Sequence, residues 1–231
     1  LANQLPVFQD EAISNGIAPP TRPELTFGVF FFDSDLDGRL DIFAANGHLE
    51  KDINLVQSSQ HYEQPPQLLW NCGAEHENEF VALESAQCGE DFVRRMVGRG
   101  ASFADIDGDG DLDLLITSNG GSPRLLRNDQ DLGHHWLRVR LTGTTGVNSS
   151  AIGTWVDIHT ATGVRSQQVM PTRSYLSQAE LPVTFGLGDH DQIEKLVIRW
   201  PNGTTREVKK PKIDTMLEFT QAVPTAVSKG Q

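Results

Sequence analysis

The sequence predicts an all-β protein, a partial β-propeller followed by a β-sandwich-like domain. Three observations predict it. Apolar residues come in short runs rich in β-branched and aromatic side chains, separated by turn dipeptides such as Asn46-Gly47, Asn119-Gly120 and Asn202-Gly203. An acidic nonapeptide of the form D-x-D-x-D-G-x-x-D occurs twice, from Asp33 to Asp41 and from Asp105 to Asp113. The residues around it repeat with it, at a period that suits one propeller blade.

Taken in order, Pro6-Val7-Phe8-Gln9-Asp10 reads as the last strand of a preceding blade. Phe30-Phe31-Phe32 enters the first acidic loop and Leu40-Asp41-Ile42-Phe43-Ala44 leaves it, so the loop joins two strands. In the second copy Ala101-Ser102-Phe103-Ala104 and Leu112-Asp113-Leu114-Leu115-Ile116-Thr117 take the same places. An EF-hand would need flanking helices and a bidentate Glu at loop position 12, where this chain has Ala44 and Ile116. The shift of 72 residues from Asp33 to Asp105 also maps Phe8 onto Phe80, Gly28 onto Gly100, Phe31 onto Phe103 and Leu40 onto Leu112. Leu68-Leu69-Trp70-Asn71 recurs only 57 residues later as Leu125-Leu126-Arg127-Asn128, which puts about 15 extra residues between His48 and Pro66 of the first copy. Each unit is expected to run strand, Asp loop, strand, Gly/Pro turn, strand ending in Leu-Leu-x-Asn, and a strand beginning at Phe. A closed propeller needs about four to eight blades. With two such units and a start at Leu1, the chain is expected to be a piece of a longer protein.

Four carboxylates within nine residues repel one another unless a cation lies among them, and a hard divalent ion held by oxygen reverses the sign of that energy. Two Ca²⁺ sites are therefore expected. The first would use the side chains of Asp33, Asp35, Asp37 and Asp41 with the backbone carbonyl of Arg39. The second would use Asp105, Asp107, Asp109 and Asp113 with the backbone carbonyl of Asp111. Gly38 and Gly110 would supply the positive φ of a sharp turn. Magnesium suits the pattern less well, because it demands a tight octahedron and keeps its waters.

The chain of 231 residues carries a net charge of −12, of which two bound Ca²⁺ would return four units. That surface and the lack of a basic stripe exclude a nucleic-acid partner, and no apolar run is long enough for membrane insertion. Cys72 and Cys88 bracket a turn within one unit and are compatible with a disulfide or with two thiols.

From Trp136 the acidic loops stop, and strands are expected over 136–142, 155–160, 166–170, 183–185, 195–200, 206–208 and 216–219. Adjacent residues on a strand point to opposite faces, so His134 and His135 are not expected to share a metal. Ser177 lacks the G-x-S-x-G elbow of a nucleophile and reads as a turn residue. Phe185-Gly186-Leu187-Gly188 lacks the Lys-Ser/Thr of a phosphate loop. Trp136, Trp155 and Trp200 are expected in the core.

These motifs together carry a resemblance. The repeat and its Asp loop resemble the FG-GAP/VCBS blades of integrin-α-like propellers. The series Gly120-Gly121-Ser122-Pro123-Arg124-Leu125-Leu126-Arg127-Asn128, His135-Trp136-Leu137-Arg138-Val139, Ala151-Ile152-Gly153, Tyr175-Leu176-Ser177-Gln178, Phe185-Gly186-Leu187-Gly188 and Trp200-Pro201-Asn202-Gly203 resembles the ASPIC/UnbV domain. The combination is similar to bacterial relatives of cartilage acidic protein. The resemblance implies propeller blades over 1–133 and an ASPIC/UnbV sandwich over 134–221, and the small, polar residues from Ala222 point to a disordered tail over 222–231. It also implies a calcium-stabilised interaction or adhesion module that is extracellular, on the cell surface or periplasmic, with a protein or glycan ligand. No catalytic constellation is visible, and a non-enzyme is expected. The alternative expectation is a non-catalytic, carbohydrate-binding portion of a larger polysaccharide-active or biosynthetic enzyme.

Overall fold

The computed structural model describes residues 8–144 and 148–222. Its residues group into two compact units that interleave along the chain. The first comprises Leu1–Phe32, Leu40–Ala101 and Ile116–Leu126, and the second Asp33–Arg39, Ser102–Leu115 and Arg127–Gln231.

In the first unit, β1 (Thr26–Phe32), β2 (Asp41–Asn46), β3 (Gln67–Asn71) and β4 (Phe80–Ala82) form an antiparallel sheet in the order β1-β2-β3-β4. This is the strand order that the repeat predicts, from the strand before the Asp loop to the one that begins at a Phe. Pairing Phe32 with Asp41 and Phe30 with Phe43 sets the register. The period of two then turns Phe30 and Phe32 inward, and leaves Val29 and Phe31 46% and 55% exposed. Phe30 stacks on Phe43 with centroids 5.1 Å apart, and Phe92 meets the Phe43 ring edge-on at 6.2 Å. Ile42, Leu69 and Phe80 make a second cluster beside Ile17 and Ala82. The helices are single turns: α1 (Ala18–Thr21), α2 (Ile53–Val56, within the extra residues of the first copy), α3 (Ser85–Cys88) and α4 (Glu90–Val93). A capping box between Glu84 and Gln87 starts α3.

The second copy departs from the expected four strands. β5 (Gly98–Ala104), β6 (Asp113–Ser118) and β7 (Arg124–Leu126) form a three-stranded sheet, and the next strand, β8 (His135–Thr142), joins a different one. Among the described residues no closed propeller forms. The strand expected around Phe8 is also not formed in its described part. Residues 8–10 are irregular and Phe8 is 98% exposed, since no described strand pairs with them, while Pro6 and Val7 lie outside the described residues. Of the tail expected to be disordered, only Ala222 falls within them.

The second unit contains a sandwich. β9 (Trp155–Thr160), β10 (Gly163–Gln168), β12 (Lys195–Arg199) and β13 (Thr205–Lys209) form one sheet in the order β10-β9-β12-β13. β11 (Val183–Gly188), β8 and β14 (Thr215–Thr220) form the other, with β14 parallel to β8. All seven expected strands are present. The largest displacement is in β10, which starts at Gly163 because a tight turn pairs Gly163 with Thr160. Alternate residues of both sheets, among them Leu137, Val139, Val156, Ile158, Phe185, Leu187, Leu196 and Ile198, build one core. Trp200 joins that core, but Trp155 is 39% exposed with the Arg199 guanidinium 5.8 Å from its ring, and Trp136 is only half-buried. The expectation of three core tryptophans thus holds for Trp200 alone.

Cys72 and Cys88 are two thiols and not a bridge. The Cys72 Sγ donates to the carbonyl of Asn78 at 3.0 Å and the Cys88 Sγ to that of Glu84 at 3.2 Å. Burial pushes the Cys88 thiol up to about 11, so it stays protonated and unreactive at neutral pH. Among the described residues no helix is long and apolar enough to cross a membrane.

Candidate metal centres in the two Asp loops

Each acidic loop folds around its own carboxylates. Asp33 Oδ2 accepts the Gly38 N–H at 2.9 Å, and Asp105 Oδ2 accepts that of Gly110 at 3.1 Å, the same five-residue reach in both copies. Asp37 accepts the Arg39 N–H at 2.7 Å, and Asp109 that of Asp111 at 3.2 Å. Gly38 and Gly110 hold φ of 92° and 106°, as the turn reading requires. These bonds gather one oxygen each from Asp33, Asp35 and Asp37 to within 4.8 Å of one another, and do the same for Asp105, Asp107 and Asp109.

The fourth aspartate of each loop is tied to the recurring Leu-Leu-x-Asn element, whose purpose the sequence alone does not reveal. The Asn71 N–H donates to Asp41 Oδ1 at 2.8 Å, and the Asn128 N–H donates to Asp113 Oδ1 at 2.8 Å. Asp113 Oδ2 also accepts the Ile106 N–H. A carboxylate oxygen keeps a second lone pair after one such bond, so both aspartates retain ligand capacity. The carbonyls of Arg39 and Asp111 leave the same turns. At this position the two loops differ. The Arg39 guanidinium pairs with Asp37, whereas the Asp111 side chain is buried beside the carboxylates of Asp109, Asp113 and Asp107.

Within the second unit, the sandwich grips both loops through residues of the C-terminal motifs. Gly186 of β11 lies so close to the first loop that a Cβ there would sit 2.2 Å from Asp33 Oδ2 and 2.4 Å from the Leu36 backbone. Gly188 donates its N–H to the Leu36 carbonyl at 2.8 Å. The two glycines of Phe-Gly-Leu-Gly therefore serve backbone approach to a loop. A Cβ on Gly110 would meet the Trp136 indole in the same way, at 2.0 Å. Arg138 of β8, with its side chain 2% exposed, bonds Asp105 Oδ2, Glu180 and the Thr184 hydroxyl. His134 Nδ1 lies 2.6 Å from the Asp35 carbonyl and must carry the proton, since a carbonyl only accepts. His135 instead pairs with Asp214 at 2.8 Å, so the two histidines diverge as expected.

The electrostatics record how crowded the loops are. Burial raises Asp37 and Asp113 above the ordinary carboxylate range, although backbone N–H donors oppose the rise. Burial first, then the carboxylates of Asp109, Asp113 and Asp107, push Asp111 up to about 8. Burial lowers Arg165, against the opposing fields of Asp33 and Asp37. Arg138, Arg165, Glu180 and His134 are the contributors that the sequence reading missed. A charged residue between apolar neighbours on a strand, as Arg138 is in Trp-Leu-Arg-Val, was the available signal.

Ser177 is a turn residue, with its Oγ donating to the Tyr175 carbonyl at 2.9 Å.

Comparison with known proteins places this geometry in context. Residues 143–226 match the family model described as "ASPIC and UnbV". The chain is 31% identical over 147 residues to Cartilage acidic protein 1 of Xenopus tropicalis, a match covering 58% of this chain and 22% of the relative. It is 30% identical over 128 residues to the Mus musculus and Homo sapiens proteins of that name, covering 53% of this chain and 19% of each. The chain thus spans about a fifth of the length of the curated relatives that it matches.

Proposed function

We propose that this chain is a calcium-binding interaction module, in which two Ca²⁺ ions hold the Asp loops and the loops stiffen the surfaces that meet a protein or glycan partner. The carrying observation is the convergence of three carboxylate oxygens within 4.8 Å in each loop. The donor set is all oxygen and anionic, which fits a hard cation, and the buried Asp111 Oδ1 has no hydrogen-bond partner. When bound, Ca²⁺ would supply charge neutralisation and a rigid cross-link within the loop. Asp33, Asp35, Asp37, Asp41 and the Arg39 carbonyl would hold one ion. Asp105, Asp107, Asp109, Asp113 and the Asp111 carbonyl would hold the other.

The duplicated loop and the β1-β2-β3-β4 meander support reading the sheets as FG-GAP/VCBS-type propeller blades. Similarity to the curated relatives supports a place outside the cytoplasm, extracellular, at the cell surface or periplasmic. Millimolar free calcium outside the cell suits loops that need it to fold tightly.

Elemental analysis of the purified chain and calcium titration calorimetry test the reading. Two equivalents of Ca²⁺ are expected, released by EDTA. A chain that takes up no calcium at millimolar concentration sinks it.

A further inference from the structure

The two loops carry the same motif but different seventh residues, Arg39 in one and Asp111 in the other. We propose that the Asp111 carboxylate is a further metal-facing group of the second loop, beyond its backbone carbonyl, and that it makes the second loop the tighter calcium site. This rests on the calcium reading above.

Asp111 is 3% exposed, yet its Oδ1 has no hydrogen-bond partner. An orphaned carboxylate oxygen at that depth is costly, and a cation is the partner that would satisfy it. The side chain is buried beside the loop's carboxylate cluster, in the field of Asp109, Asp113 and Asp107.

Formal charge separates the loops further. The first nonapeptide has four aspartates and Arg39, net −3, whereas the second has five aspartates, net −5. Neighbours widen the gap. Arg165 adds positive potential at Asp33 and Asp37 of the first loop. At the second, Arg138 bonds Asp105 but is shared with Glu180, and Arg127, 3.8 Å from Asp107, is held closer by Asp129 at 2.7 Å. Calcium affinity in oxygen-ligand loops rises with the number of anionic ligands.

Calorimetric titration of the chain with CaCl₂ alone tests this, using Asp37→Asn to weaken the first loop and Asp111→Asn to remove the charge from the second. The wild type should bind two ions with unequal affinity, and Asp37→Asn should leave the tighter one intact. Asp111→Asn should weaken that tighter site about tenfold or more. Asp111→Ser keeps the backbone carbonyl without the carboxylate, so it repeats the test should the amide itself coordinate; circular dichroism checks that each variant is folded. If Asp111→Asn and Asp111→Ser leave the tighter affinity unchanged or strengthen it, the proposal is overturned while the calcium reading stands. A wild type that binds no calcium overturns both.

Discussion

At the scale of single residues, the positions with least freedom are those where backbone meets carboxylate. Gly186 has no space for a methyl group, since Asp33 Oδ2 and the Leu36 backbone occupy it. Gly186→Ala is expected to cost about 1–3 kcal/mol by overpacking. It should weaken calcium binding at the first loop, as read by urea denaturation and titration of the same variant. Asp157 gives a different prediction. It accepts two hydrogen bonds from Arg199, at 2.8 and 2.9 Å, and one from Ser166 at 2.6 Å. Burial acts to raise its pKa, but these bonds prevail and hold it below the usual carboxylate range. A depressed folded-state value contributes stability above the unfolded pKa, near 3.9, that is lost as pH falls through the folded one. Denaturation of Asp157→Asn between about pH 2 and 4 should therefore show a shallower acid dependence than the wild type. An unchanged slope would remove Asp157 from the account.

At the scale of elements, β8 carries the most consequential side chain. Arg138 stands between two acids, and it and Asp105 are 2% and 1% exposed at their side chains. Removing one member of a buried ion pair leaves its partner uncompensated, at a cost of about 3–5 kcal/mol. Arg138→Met should show that loss by chemical denaturation in EDTA, and a smaller one with calcium, which would neutralise Asp105 in its place. The strands themselves were legible in the sequence, because alternation and Asn-Gly turns report local geometry. So were Asp33, Asp35, Asp37, Asp105, Asp107 and Asp109 as two clusters, because the motif folds on its own residues. Arg138, Arg165, Glu180 and the glycines of Phe185-Gly186-Leu187-Gly188 were not assigned to the loops. Their contacts run between segments far apart in the chain, which a local pattern does not encode. The Leu-Leu-x-Asn repeat was visible, but the bond from its asparagine N–H to the last loop aspartate exists only once β3 lies beside β2.

At the scale of the whole molecule, the interleaving of the two units has a practical result. A cut between residues 133 and 134 would leave both acidic motifs on one fragment and the sandwich on the other. The fragment ending at residue 133 should bind calcium more weakly than the full chain, since it lacks Arg138, Glu180, Gly186 and Gly188. Calorimetry on both preparations would show it, and equal affinities would mean that the loops are self-sufficient. The closeness of Trp136 to Gly110 offers a last use. An indole pressed against one loop can act as an antenna, passing ultraviolet excitation to a terbium ion seated there. Green emission lost in Trp136→Phe would report the occupancy of that loop by itself, with no label attached to the protein.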